Sequence, residues 1–408
     1  MDLAMMFQGI GTMFAQEPKI AIARLVLIGI GILLVYLGSK GILEGLIMIP
    51  MGFGMLSVNA GVLFFTATEA AKQAGNVTGT LFLDPFVADT DALVELMQID
   101  FLQPIYALAF SNSLIACLVF MGVGVLADVS NVLRYPFTSM MIALFAELGS
   151  IVTYPVAIAM GLNPGQAGAI SVVGGADGPM VIFSSLMLAK DLFVPITVIA
   201  YLYLSLTYGG YPFLIRAIVP KELRGYKVQT SRSQPISPGA KLAFDLVACS
   251  VLCLILPVAA PLLFSFFLGN AVKEAGLLKY TKMIEDVLLY ISTFFLGILL
   301  GVLCEASTLL DAKVLPLLIL GVIALGVSGF GGIIGGYVVY LMNNRNFNPV
   351  VGIAGVSCVP TTAKIAQHEV ASVNRKSNIL QFAMGANICG VIVSAILVGI
   401  YMTFIPML

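Results

Sequence analysis

Charged side chains are scarce in this chain: Asp, Glu, Lys and Arg make up 10% of its 408 residues, and histidine occurs once, at His368. A single histidine with no partner at metal-ligand spacing builds no zinc-type centre, so surface or interfacial packing is its expected place. The six cysteines (Cys117, Cys249, Cys253, Cys304, Cys358, Cys389) lie inside apolar stretches with no CxxC pair. Neither a disulfide framework nor a zinc ribbon follows, and they read as small packed hydrophobes. A net charge of −1 leaves no basic stripe, which excludes nucleic acid as a partner. Met1 to Glu17 is amphipathic and weakly basic rather than a charged start with a short apolar core, so no cleavable secretory signal is expected.

What the chain has instead is apolar surface, at 60% hydrophobic residues and a mean hydropathy of +1.04. One soluble core cannot bury that much, and the composition predicts an all-α polytopic protein in contact with membrane lipid. A window of about 19 residues places about eleven transmembrane segments, near 20–38, 41–65, 104–126, 135–160, 165–188, 192–215, 241–268, 284–304, 314–341, 348–366 and 377–404. Two polar connections separate them: 66–103 is acidic, and 216–240 is basic through Arg216, Lys221, Arg224, Lys227 and Arg232. The basic one is expected in the cytoplasm, and the Lys and Arg count favours an internal N-terminus and an external C-terminus.

The chain also repeats itself. Pro50 stands nine residues before Asn59, and Pro261 nine before Asn270. Gly124-Val125-Leu126-Ala127-Asp128 is echoed by Gly301-Val302-Leu303-Cys304-Glu305, and Asn163-Pro164 by Asn348-Pro349. The offset falls from 211 to 177 residues between the first two echoes, as it should if the first half carries the acidic insertion. The expected organisation is an N-terminal helix (1–40), a first repeat (41–215, with insertion 66–103), a basic cytoplasmic connector (216–240) and a second repeat (241–404). Five crossings per repeat force the copies to enter from opposite sides, an inverted repeat with broken helices.

The breaks point to the site. Gly174-Gly175-Ala176-Asp177-Gly178-Pro179 puts a carboxylate between helix breakers in a segment otherwise fit to span lipid. Such a carboxylate marks an ion or substrate path, the alternative being a cap on a half-helix. In the second half the run Val356-Ser357-Cys358-Val359-Pro360 is one break. Asn387, Gly390 and Ser394 share a helix face further on. They are either oxygen ligands for a small hard cation or interhelical packing. Tyr201 and Tyr203, one turn into the next crossing, are interfacial residues or proton donors. The repeat, broken helices and buried carboxylate equally fit a Na+- or H+-coupled secondary solute transporter.

The Gly174–Pro179 run, the stretch Asn348-Pro349-Val350-Val351-Gly352-Ile353-Ala354-Gly355-Val356-Ser357 and Met384-Gly385-Ala386-Asn387-Ile388-Cys389-Gly390 resemble the signatures of the membrane β subunit of Na+-translocating, biotin-dependent decarboxylases. That family acts on oxaloacetate, methylmalonyl-CoA, glutaconyl-CoA and malonate. The resemblance runs from about residue 20 to 404, and Asp84-Pro85 with Cys358–Lys364 look closest to the glutaconyl-CoA branch. Gly385-Ala386-Asn387 stands where oxaloacetate-type members carry Gly-Pro-Asn, and Met180 where they carry threonine; both bear on the branch more than on the chemistry.

The resemblance implies a carboxybiotin decarboxylase that moves Na+ outward and consumes a proton, in the bacterial cytoplasmic membrane. It implies biotin on a separate carrier subunit, a carboxyltransferase α subunit, a small membrane anchor subunit and a homo-oligomer. It makes Asp177, Asn387 and Ser394 Na+ ligands with Gly175 and Gly390 beside them, adds Asn59, Asn270 and Ser357 as further candidates, and gives Asp177 and Tyr203 the catalytic roles, Tyr203 in proton delivery. Each cation driven against the field costs about 2.3 kcal/mol per 100 mV, which is why the transport needs coupled chemistry.

Overall fold

Proline and asparagine decide where this chain becomes helical. Pro18, Pro136, Pro164 and Pro238 stand at helix starts, where the missing N–H is an orphan anyway and the fixed φ is already helical. Asn163 completes a capping box with Gln166, and Asn348 accepts from the N–H of Val350. The computed structural model describes residues 17–60, 102–110, 112–175, 177–228, 236–306 and 314–407. The acidic insertion lies almost wholly outside these.

Among the described residues the helices of eight residues or more are α1 (Pro18–Ser39), α2 (Gly45–Ala60), α3 (Leu114–Leu126), α4 (Pro136–Ala146), α5 (Leu148–Ala159), α6 (Pro164–Ser171), α7 (Gly178–Leu188), α8 (Phe193–Ile218), α9 (Pro238–Ile255), α10 (Ala260–Glu274), α11 (Leu289–Leu303), α12 (Val314–Met342), α13 (Thr361–Val373) and α14 (Leu380–Phe404). No strand occurs among the described residues. Among the described residues six stretches are long and apolar enough to cross a membrane: Pro18–Ser39, Pro136–Ala159, Pro238–Ile255, Leu278–Leu303, Val314–Met342 and Leu380–Met407. A seventh is Lys190–Ile218 if its bent halves count as one span. This is an all-α polytopic membrane protein.

The eleven expected segments are not all single crossings. Pro257 and Pro261 divide 241–268 into α9 and α10. Segment 165–188 is divided by its break into α6 of 8 residues and α7 of 11. At about 1.5 Å per residue neither reaches across a core of about 30 Å. Its two ends meet: the Gln166 amide donates to Asp191 at 2.6 Å, and a Cβ on Gly165 would collide with the Leu188 carbonyl. It is a re-entrant hairpin. The expected segment 348–366 behaves alike within the stretch 348–377, a 3₁₀ turn (Pro349–Gly355) running into a break and then α13. Asn348 donates to the carbonyls of Arg224 and Tyr226 at 3.1 and 3.0 Å, while Ser377 donates to Tyr226 and Asn374 to Gly225 at 2.8 and 2.9 Å. The two hairpin bases lie at opposite ends of the 26-residue α8. A hydropathy window averages over glycine and proline and so counted both hairpins as spans.

The chain divides into two compact units, one holding the described part of the first 115 residues with Tyr290–Leu315, the other Ala116–Leu289 with the rest. In the first, α1 and α2 form a hairpin so close that a Cβ on Gly31 would stand 2.9 Å from the Gly52 carbonyl. α2 meets α11 through Gly54 and Gly301, a small-residue crossing of the kind lipid-embedded helices use. Where they end, Asn59 donates to the Cys304 carbonyl at 2.9 Å and accepts from the N–H of Ala306 at 3.2 Å, and Arg24 donates to the Asn59 carbonyl at 2.8 Å.

The second unit contains the same arrangement in other residues. Gly124 of α3 and Gly269 of α10 make the close crossing, and Asn270 donates to the Ala127 carbonyl at 3.3 Å. Lys241 of α9 bridges Asp128 and Glu274 at 3.3 and 3.1 Å. The Pro-to-Asn helix of each sequence half thus pairs with the Gly-Val-Leu helix end of the other.

Candidate functional site

The tips of the two hairpins touch inside the second unit. The backbone N–H and the hydroxyl of Ser357 donate to the Gly175 carbonyl at 3.0 and 2.5 Å. Both tips are short of intrahelical bonds, because glycine and proline end the flanking helices, and each supplies part of what the other lacks. α14 crosses the pair. A Cβ on Gly390 would run into the Gly355 carbonyl, so only glycine lets α14 approach the second tip. Its neighbour Ser394 reaches the Ser357 hydroxyl at 3.2 Å, and a Cβ on Gly175 would press within 2.6 Å of the Ser394 hydroxyl.

Asn387, fully buried, reads the second tip directly. Its amide N–H₂ donates to the carbonyls of Ala354 and Val356, each at 3.0 Å, and to the Thr362 hydroxyl at 2.9 Å. Its Oδ1 is buried without a hydrogen-bond partner among the described residues. An unmet amide oxygen costs about 1–3 kcal/mol, and it is the kind of atom a hard cation takes as a ligand.

Two carboxylates face this crossing. Asp177, 6% exposed, occupies the N-cap position of α7, with the backbone N–H of Met180 beside its carboxyl. Glu147, 3% exposed, sits between α4 and α5, where it accepts from Ser150 at 2.7 Å and from Ser394 through a very short hydrogen bond. The two carboxyl groups are within electrostatic reach of each other. Among the described residues neither forms an ion pair with Lys or Arg. Two buried like charges without a cation are not tolerated; a bound cation, a proton, or each in turn must neutralise them.

Asp177, Gly175, Ser357, Asn387, Gly390 and Ser394 are therefore brought together. Asn270 is not, since it belongs to the crossing of α3 and α10, and Asn59 belongs to the crossing of α2 and α11 within the first unit. The Tyr203 hydroxyl donates to the Leu318 carbonyl of α12 at 2.7 Å, and it is the Tyr201 ring that lies against Gly178, next to Asp177. Glu147 was missed from sequence. Its signal was available, a lone carboxylate within the apolar run 135–160, but without glycine or proline around it to draw attention.

A family model described as the Na+-transporting oxaloacetate decarboxylase beta subunit matches residues 23–405. The chain is 52% identical over 402 residues to a carboxybiotin decarboxylase of Malonomonas rubra, covering 98% of each chain. It is 31% identical to the methylmalonyl-CoA decarboxylase subunit beta of Propionigenium modestum, covering 90% of this chain and 91% of that one. With oxaloacetate decarboxylase beta chain 2 of Salmonella typhi it shares 30% identity over 99% of each. The match takes in both hairpins, the helix that crosses them and both carboxylates, and the chain belongs to the family of Na+-transporting decarboxylase β subunits.

Proposed function

We propose that this chain decarboxylates carboxybiotin presented by a separate carrier and couples that step to outward Na+ movement. The bond between the carboxylate carbon and the ureido nitrogen breaks, CO₂ leaves, and the nitrogen takes up one proton. The observation that carries the proposal is the pair Asp177 and Glu147, buried at the hairpin tips with no protein cation among the described residues. Na+ takes oxygens from this cluster, with Asn387 Oδ1 and Ser394 as further ligands, and its departure leaves carboxylates able to carry a proton. The two tips belong to different hairpins, so an ion held between them senses their relative position.

Tyr203 stays the candidate for proton delivery, with Tyr201 beside Gly178 as the nearer hydroxyl to the tip. The chain works with a carboxyltransferase, a biotin carrier and a small membrane subunit, as a homo-oligomer. The acyl donor is selected by the carboxyltransferase; glutaconyl-CoA is the first to assay, then methylmalonyl-CoA, malonate and oxaloacetate. The crosswise Asn59 and Asn270 pairings and the opposed hairpins support an inverted repeat whose first copy includes α1, since Arg24 lies in the field of Glu305 as Lys241 pairs with its echo Asp128.

The purified complex reconstituted in vesicles tests this. Decarboxylation should require Na+ and be accompanied by Na+ accumulation in inverted vesicles. Full-rate decarboxylation in Na+-free medium would end the proposal, and the solute-carrier alternative would then be the one to pursue.

A further inference from the structure

A cavity of about 450 Å³ opens in the second unit beside the start of α14, and nothing in the ion site accounts for it. Its walls include Lys227, Lys376, Asn131, Asn378 and Gln381, with Met384 among its apolar atoms. Both lysines are exposed, and neither forms an ion pair among the described residues. Lys227 comes from the basic connector, and Lys376 from the strap joining the second hairpin to α14, so two separate segments supply positive charge to one opening. Asp128 also lines the cavity, but Lys241 at 3.3 Å and the N–H of Ser130 at 3.0 Å already engage its carboxylate. Burial raises that carboxyl, yet the Ser130 hydrogen bonds and the Lys241 charge outweigh burial and hold it below the usual carboxylate range.

The cavity and the ion site share α14. On α14 Met384 stands three residues from both Gln381 and Asn387, a helical neighbour of each with about 4.5 Å of rise to either. Gln381 and Met384 line the cavity, and one turn deeper lies Asn387 with its buried, unpartnered oxygen. The volume falls in the range of small-molecule sites, roughly 300–1,000 Å³.

We propose that this cavity is where carboxybiotin docks, with Lys227 and Lys376 on its carboxylate and ureido oxygens, the amides of Asn131, Asn378 and Gln381 on the remaining ureido positions, and Met384 against the sulfur-containing ring. The inference rests on the decarboxylase function proposed above. It adds positioning residues on the entry side of the ion site, acting on substrate affinity rather than on the ion.

The test uses the assembled complex carrying Lys227→Gln and Lys376→Gln together, and separately the Lys→Arg pair. With carboxybiotin as substrate the Gln pair should raise KM at least tenfold, leave kcat within about twofold and leave the Na+ concentration for half-maximal rate unchanged; the Arg pair should recover most of the affinity. Without turnover, biotinyl-lysine should slow maleimide labelling of Gln381→Cys in the Lys227 and Lys376 background and fail to do so in the Gln pair, with labelling of the native cysteines subtracted. An unchanged KM together with equal protection in both backgrounds overturns the docking site. A wild-type complex that does not decarboxylate carboxybiotin overturns the underlying function instead. Protection by any small anion as well as by biotinyl-lysine would reduce the cavity to a general anion site and also overturn it.

Discussion

Ser357 gives both its N–H and its hydroxyl to the carbonyl of Gly175, tying together two chain breaks 182 residues apart. Each break alone would leave backbone groups unpaired at membrane depth. Joined, they make a small polar volume into which Glu147, Asp177, Asn387 and Ser394 can contribute oxygens.

Glu147→Gln keeps the shape and removes one of the two charges. If Na+ is attracted by both carboxylates, the variant should need at least about tenfold more Na+ for half-maximal decarboxylation, equivalent to about 1.4 kcal/mol. Na+ titration of the purified complex reads this directly, and an unchanged midpoint would reduce Glu147 to a structural hydrogen-bond acceptor.

Gly390→Ala places a methyl group against the Gly355 carbonyl. The α14 helix must then move away from the second tip, separating Asn387 and Ser394 from it together. Expected are a complex that still assembles at reduced thermal stability and a weakened response to Na+. A variant with wild-type stability and wild-type Na+ dependence would show that the close crossing is not required.

Asn59→Ala should destabilise more than Asn270→Ala. The first leaves the Cys304 carbonyl and the Ala306 N–H without their side-chain partner, at about 1–3 kcal/mol for each group left unmet. The second removes a longer bond to Ala127, whose carbonyl still accepts from Lys273 at 2.8 Å. Thermal midpoints of the detergent-purified variants should fall in that order, and the reverse order would mean that these side-chain hydrogen bonds do not set the stability of the two crossings.

An inverted repeat would put the bases of the two hairpins on opposite faces of the membrane. Cysteines at Met160, near the base of the first, and at Arg345, near the base of the second, are both at exposed positions. An impermeant thiol reagent added to sealed vesicles should label one and not the other. Labelling of both from one side would refute the inversion.

Much of this could be read before any coordinates. The Gly174–Pro179 run located the first tip because glycine and proline carry backbone meaning wherever they occur, and Asn387, Gly390 and Ser394 share a face because helical spacing is local. What spacing could not tell was which of the three touches what: Gly390 is there for close approach, and Asn387 for the second tip. Re-entry of 165–188 was hidden because hydropathy does not register direction, although helices of 8 and 11 residues are too short to span. The crosswise pairing of Asn59 with Cys304 was hidden for a different reason, since two echoed motifs give no sign of which copy packs on which.

Equilibrium binding of radioactive Na+ to the purified protein, wild type against Asp177→Asn, addresses the ion site without turnover or partner subunits. Wild-type protein should bind Na+ saturably, and the variant, alike in shape but one charge poorer at the tips, should lose that binding by at least tenfold in affinity while eluting as the same folded species. Equal saturable binding by both would contradict a cation held at the hairpin crossing.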